Sequence, residues 1–150
     1  MTLDAATIQR VQTELNSSVI CDTMDSLGYL NQAMDRHIRP LDDSKTLFGP
    51  VRTALIEKVE PGTPRPDNPY ELTINVMDDL NPGDIAVRAC GDIGTAATCG
   101  ERLTAAAMGR GPAGLVTDAQ FRYVPPTRPL GLPRAPNVAR PHTAPGRPDS

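Results

Sequence analysis

The sequence predicts an α/β fold, and three observations carry that prediction. Its 150 residues with 39% apolar content suit one domain with a real core. Apolar spacing switches between helical and strand periods along the chain. Gly-Pro and Asn-Pro-Gly punctuation separates the segments. The resulting order is helix, helix, strand, helix, strand, helix, strand, the alternation of an α/β sheet with ligand at the C-terminal strand ends.

The first helix spans residues 4 to 15, with Ala5, Ile8, Val11 and Leu15 near helical spacing and Asp4 as N-cap. Ser17 or Ser18 caps a second helix, VICDTMDSLG, whose buried stripe is Val19, Ile20, Met24 and Leu27, and Gly28 ends it. Tyr29 to Leu41 is connecting structure, in which His37 reads as a surface histidine. LFGPVRTALIEKVE opens on a Gly-Pro turn and continues as a strand through Val51, Thr53, Leu55 and Ile56. PGTPRPDNP is a proline-rich surface loop. Asn68 then caps a helix with Pro69 in its first position and Glu71 completing a capping box; it runs to about Leu80. NPGD turns the chain into a buried strand, Ile85–Ala89.

The functional expectation centres on residues 91 to 124. This stretch reads as a polar loop, a helix starting near Gly100, a glycine turn at Gly109 and Gly111, a strand Ala113–Thr117, and a second loop holding Arg122. Thr98 and Glu101 have capping-box spacing, and TAAAM favours helix. A helix start carries unpaired N–H groups and partial positive charge, so it attracts anions. An arginine adds a planar fork suited to a carboxylate. Residues 100 to 103 and Arg122 are therefore expected to form a small carboxylate pocket, with Asp118 delivered nearby at the strand end.

Net charge is −3, and the five aromatics include no Trp, which argues against an extended nucleic-acid surface or a base-stacking platform. The apolar runs fall short of a membrane span, and MTLDAATIQR lacks a secretory pattern, so a cytoplasmic protein is expected. Cys21, Cys90 and Cys99 are odd in number, widely spaced and without a CxxC pattern, which speaks against disulfides or a zinc site. Cys99 precedes a helix start, where a thiol pKa can fall, but no histidine neighbours it in sequence as a base. Eight of the sixteen prolines lie in the last 26 residues, so residues 125–150 read as an extended or disordered tail behind a domain of residues 1–124.

CDTMDSLG, GPVRTALI, NPGDIAV, GERL before an Ala-rich helix, GPAGLVTDAQFR and LGLP occur in this order between about Leu15 and Pro133. Together they resemble the RraA-like family, which includes 4-hydroxy-4-methyl-2-oxoglutarate aldolases and regulators of ribonuclease activity. The resemblance implies a swivelling β/β/α domain, a homotrimer or a pair of trimers, and cleavage of 4-hydroxy-2-oxo acids to pyruvate with Mg2+ or Mn2+. Oxaloacetate decarboxylation shares the same metal-stabilised enolate. It further implies that Gly100, Glu101, Arg102, Leu103 and Arg122 hold the pyruvate unit, with Glu101 contacting the metal through water.

The sequence departs from that pattern at three places. Tyr123 stands where the family's aldolases carry a metal-binding aspartate, and a neutral phenol is a poor magnesium ligand. Arg102 replaces an apolar residue. The tail does not resemble the family's C-terminal strands, which carry an acidic residue across the subunit interface. Two functions from different classes follow: a metal-dependent carbon–carbon lyase on short 2-oxo acids, or a non-catalytic binding or regulatory protein of the same fold. A remnant with neither role, open at a sheet edge, is a third.

Overall fold

The computed structural model describes residues 4–40, 44–64, 67–91 and 97–121, together with the backbone of residues 134–139. Nine elements follow in chain order: α1 (Ala5–Glu14), α2 (Ser17–Ser26), β1 (Val51–Leu55), α3 (Glu71–Asp78), β2 (Ile85–Ala89), β3 (Ala97–Cys99), α4 (Glu101–Met108), β4 (Gly114–Phe121) and β5 (Arg134–Ala139).

The five strands form one sheet in which every pairing is parallel. β4 is its spine. Leu115 pairs with Ala86 of β2 on one side and Arg134 of β5 on the other, while Gln120 pairs with Ala97 of β3 and Val138 of β5. β2 and β3 therefore share one edge of β4, end to end, and β5 takes the other. β1 adds outside β2, with Val51 opposite Ile85. The α/β prediction holds, and β2 has the predicted bounds.

Strand alternation sends Ile85 and Ala86 to opposite faces, so both faces are packed, as parallel sheets require. Ala86, Leu115, Phe121 and Cys99 meet Met77 and Leu80 from the α3 end, Ala107 of α4 and the half-buried Val76 and Leu103. On the other face Ile85 and Val116 pack against Ile38, Leu47, Val87 and Ala113. Leu115 and Phe121 are fully buried.

Several local expectations are corrected. The stripe of α2 is not buried: neither α1 nor α2 contains a buried residue, and Val19 and Leu27 are exposed. The α2 cap is Asn16, whose Oδ1 accepts from Val19 N at 3.0 Å, leaving Ser17 inside the helix. Asp4 caps α1 as expected, accepting from Thr7 N at 2.7 Å. In α3 the Asn68 box does not form. Asn68 Oδ1 accepts from Tyr70 N, two residues on, and closes a turn that delays the helix to Glu71. β4 runs on to Phe121, four residues beyond the expected strand, because β3 and β5 supply partners that extend the ladder. β5 lies where no strand was expected; β4 recruits it although Pro136 can donate no hydrogen bond.

The NPGD turn explains a glycine requirement. Gly83 adopts φ +85°, and its carbonyl oxygen would clash with a Cβ on Gly49. Asp84, buried beside it, accepts from Asn81 N at 2.9 Å and from Arg52 Nε at 3.2 Å. The Asn81 N–H, with Arg52 adding to it, holds its carboxyl below the ordinary range. No helix among the described residues is long and apolar enough to cross a membrane.

Candidate functional site

α3 links β1 to β2, and α4 links β3 to β4; each joins parallel neighbours. A helix in such a crossover runs back against its strands and begins at their C-terminal end. Both also pack on the Ala86 face. Two helix starts thus gather at one end of the sheet, where open α/β sheets bind ligands.

The α4 start is open. Its N-cap, Gly100, is extended (φ −163°, ψ −162°) and supplies no side-chain acceptor. The first helical bond runs from Thr104 N to Gly100 O at 3.0 Å, so the N–H groups of Glu101, Arg102 and Leu103 precede it. Gly100 is half-buried, Glu101 and Arg102 are exposed, and Leu103 packs against the core. The predicted Thr98–Glu101 capping box does not form, because Thr98 belongs to β3 and its Oγ1 lies 3.4 Å from Cys90 Sγ. Arg122, the arginine expected to face this helix start, and Tyr123 lie outside the described residues.

Because β4 runs on to Phe121, Asp118 lies inside the strand rather than just past its end. Its carboxylate accepts from Cys90 N at 2.7 Å and Gly91 N at 3.0 Å. These charge-assisted bonds tie the end of β2 to β4.

The cysteines are free, and two of the three are buried. Burial pushes the Cys90 thiol up, against the pull of Thr98 and Thr117, so it stays protonated and a poor nucleophile. Cys99 is a core residue of β3, without the exposure a reactive thiol needs.

One residue escaped the sequence reading. Arg88 is 3% exposed in β2, between Ala54 of β1 and Thr117 of β4 in register. Its Nε and Nη1 are buried and have no hydrogen-bond partner. The signal was there: an arginine at an inward position of the strand IAVRA.

Among the described residues, no three His, Cys, Asp or Glu side chains converge as metal ligands. Glu101 is exposed at the α4 start, and the Asp118 carboxylate accepts from two backbone N–H groups. These residues by themselves do not make a divalent-cation centre, which needs several oxygen donors.

Comparison with known proteins places the chain. The RraA-like family model, described as Aldolase/RraA, matches residues 17–147. No curated protein matches the sequence. Among solved structures, Streptomyces coelicolor RraAS2, described as an unusual member of the RNase ES inhibitor RraA protein family, superposes with a TM-score of 0.76 at 23% identity, over 98% of this chain and 69% of that one. The RNA-processing inhibitor RraA from Thermus thermophilis gives 0.66 at 19% identity, over 88% and 72%. A Geobacillus kaustophilus protein titled S-adenosylmethionine: 2-dimethylmenaquinone methyltransferase gives 0.66 at 19%, over 87% and 73%. Inhibitor and methyltransferase are unlike activities, so what these titles share with the chain is the fold. The sheet, its helices and the match over residues 17–147 agree: this chain belongs to the RraA-like family.

Proposed function

We propose that the protein is a lyase that cleaves a carbon–carbon bond in short 2-oxo acids such as 4-hydroxy-4-methyl-2-oxoglutarate or oxaloacetate, releasing pyruvate. The observation that carries this reading is the open α4 start at the C-terminal end of a parallel sheet. There the N–H groups of Glu101, Arg102 and Leu103 orient the substrate carboxylate, and Arg122 clamps its other side. Holding that carboxylate fixes the 2-oxo group and aligns the breaking bond with the carbonyl π system. The family cofactor, Mg2+ or Mn2+, belongs to this proposal and would supply Lewis-acid chemistry at the 2-oxo group. Glu101 is its proposed water-mediated contact, while Tyr123 is a weak candidate at the usual aspartate position.

Self-association is part of the proposal. Leu15, Val19, Leu27, Leu30 and Met34 are exposed along and just after the N-terminal helices, which supports a homotrimer or hexamer covering them.

The test is pyruvate release from both substrates with Mg2+, with Mn2+ and with chelator, beside Arg122→Ala. Metal-dependent turnover lost in the variant is the expected result. Turnover no higher than that of metal ion alone, from folded protein, would reject the lyase. A second reading, a non-catalytic binding protein, is favoured by Tyr123, which stands where the family's aldolases carry the metal-binding aspartate. It expects no turnover and no magnesium binding by calorimetry, together with capture of a ribonuclease partner of the kind named for the Streptomyces structure.

A further inference from the structure

Arg88 has no role in the proposed reaction, yet its placement is costly. A guanidinium keeps its charge at any pH a protein meets, so burial cannot be relieved by losing a proton. Buried donors without partners forfeit the hydrogen bonds that water gave them. Here Nε and Nη1 are both in that condition.

The surroundings point to what would complete it. Arg88 projects on the Ala86 face, two residues nearer the C-terminal strand end. Its register neighbours on both sides, Ala54 and Thr117, are small. The nearby Thr117 Oγ1, Thr98 Oγ1 and Cys90 Sγ are neutral, and the one carboxylate close by among the described residues, Asp118, is held by the Cys90 and Gly91 N–H groups and makes no hydrogen bond to Nε or Nη1. Asp84, four residues away and just before the opposite end of β2, is engaged by Arg52 and Asn81. The α3 and α4 N-termini lie on the same face and at the same end; neither has a side-chain cap, and both add positive potential.

We infer that Arg88 is the buried cation of an oxyanion site at the C-terminal end of the sheet, flanked by Ala54 and Thr117, which takes a compact ligand carrying a carboxylate or phosphate group. This site stands without the lyase reading, because it rests on the unpartnered nitrogens of Arg88 and not on Arg122.

The test is thermal unfolding at constant ionic strength with acetate, oxalate or inorganic phosphate titrated in, on wild type, Arg88→Met and Arg122→Ala. The expected result is an anion-dependent rise of about 3 °C or more in wild type and Arg122→Ala, and a clearly smaller one in Arg88→Met, where only the proposed Arg122 pocket still binds carboxylate. Comparing the three anions distinguishes carboxylate from phosphate. In anion-free buffer Arg88→Met should melt higher than wild type, since an unpaired buried charge has been replaced by an apolar chain of similar length. Equal anion shifts in wild type and Arg88→Met would overturn the site. So would a shift lost in Arg122→Ala but kept in Arg88→Met, which would leave the lyase pocket standing. If Arg88→Met does not fold, Arg88→Lys carries the test: at least about a tenfold weaker apparent Kd for the stabilising anion is expected, and an unchanged Kd overturns the proposal.

Discussion

The N-terminal helices and the crossover helices obey opposite logics. α1 and α2 are ten residues each, capped by the Asp4 and Asn16 side chains, and bury nothing. α3 and α4 are eight residues each, lack side-chain caps, and bury Met77, Thr104 and Ala107. Local hydrogen bonds shape the first pair, whereas burial against the sheet holds the second. Isolated helices this short are marginal in water, so capping alone leaves α1 and α2 near the fraying limit unless another surface covers them. Where packing holds a helix, its start is released from capping and can face a ligand.

The comparison is broken most severely in the sheet. Phe121→Ala, in a fully buried position of β4, should destabilise by about 4 kcal/mol in denaturant melts. Gly49→Ala drives a methyl group into the Gly83 carbonyl, and about 2 to 3 kcal/mol of loss is expected by the same measurement. Asp84→Asn should cost about 2 kcal/mol at neutral pH, since it weakens charge-assisted bonds to Asn81 N and Arg52. Its pH signature has a definite sign. The Asp84 carboxyl lies below its ordinary value in the folded state. Its contribution is therefore full above the unfolded pKa of about 4 and is lost as pH falls from there through the folded pKa. Melts of Asp84→Asn should lack that acid-side loss.

Smaller effects are expected in the N-terminal pair. Asn16→Ala removes the α2 cap and should cost about 1 kcal/mol, read as faster amide exchange in Ser17–Ile20 with the sheet amides unchanged. Val19→Asp should move monomer stability by no more than about 0.5 kcal/mol, because Val19 is exposed. A large loss there, dependent on protein concentration, would show that a second copy covers this helix.

Much of this architecture was legible. IAVRA after NPGD is a short apolar run behind a turn, and it forms β2 with the predicted bounds. Asp4 caps α1 because Asp-Ala-Ala-Thr presents an acceptor one turn from a free N–H. The family resemblance from residue order is matched by the family model over residues 17–147. The capping boxes misled, because spacing alone cannot tell a helix cap from a strand end: Thr98 faces Cys90 across the sheet instead of Glu101. β5 was illegible for a related reason. A strand on β4 in a proline-rich segment gets its order from the partner, and its own residues carry no alternation.

The sequence by itself determined the α/β alternation, the second strand and the glycine-led start of α4, since each depends on residues within one or two turns of one another. Only the tertiary structure decided that Asp118 ties β2 to β4, that β4 is flanked along its length, and that Arg88 is buried with unpaired nitrogens. Those outcomes join residues 18 to 34 positions apart, as with Phe121 beside Ala139 and Ala54 beside Arg88. Strand pairing carries its information across the sheet rather than along the chain.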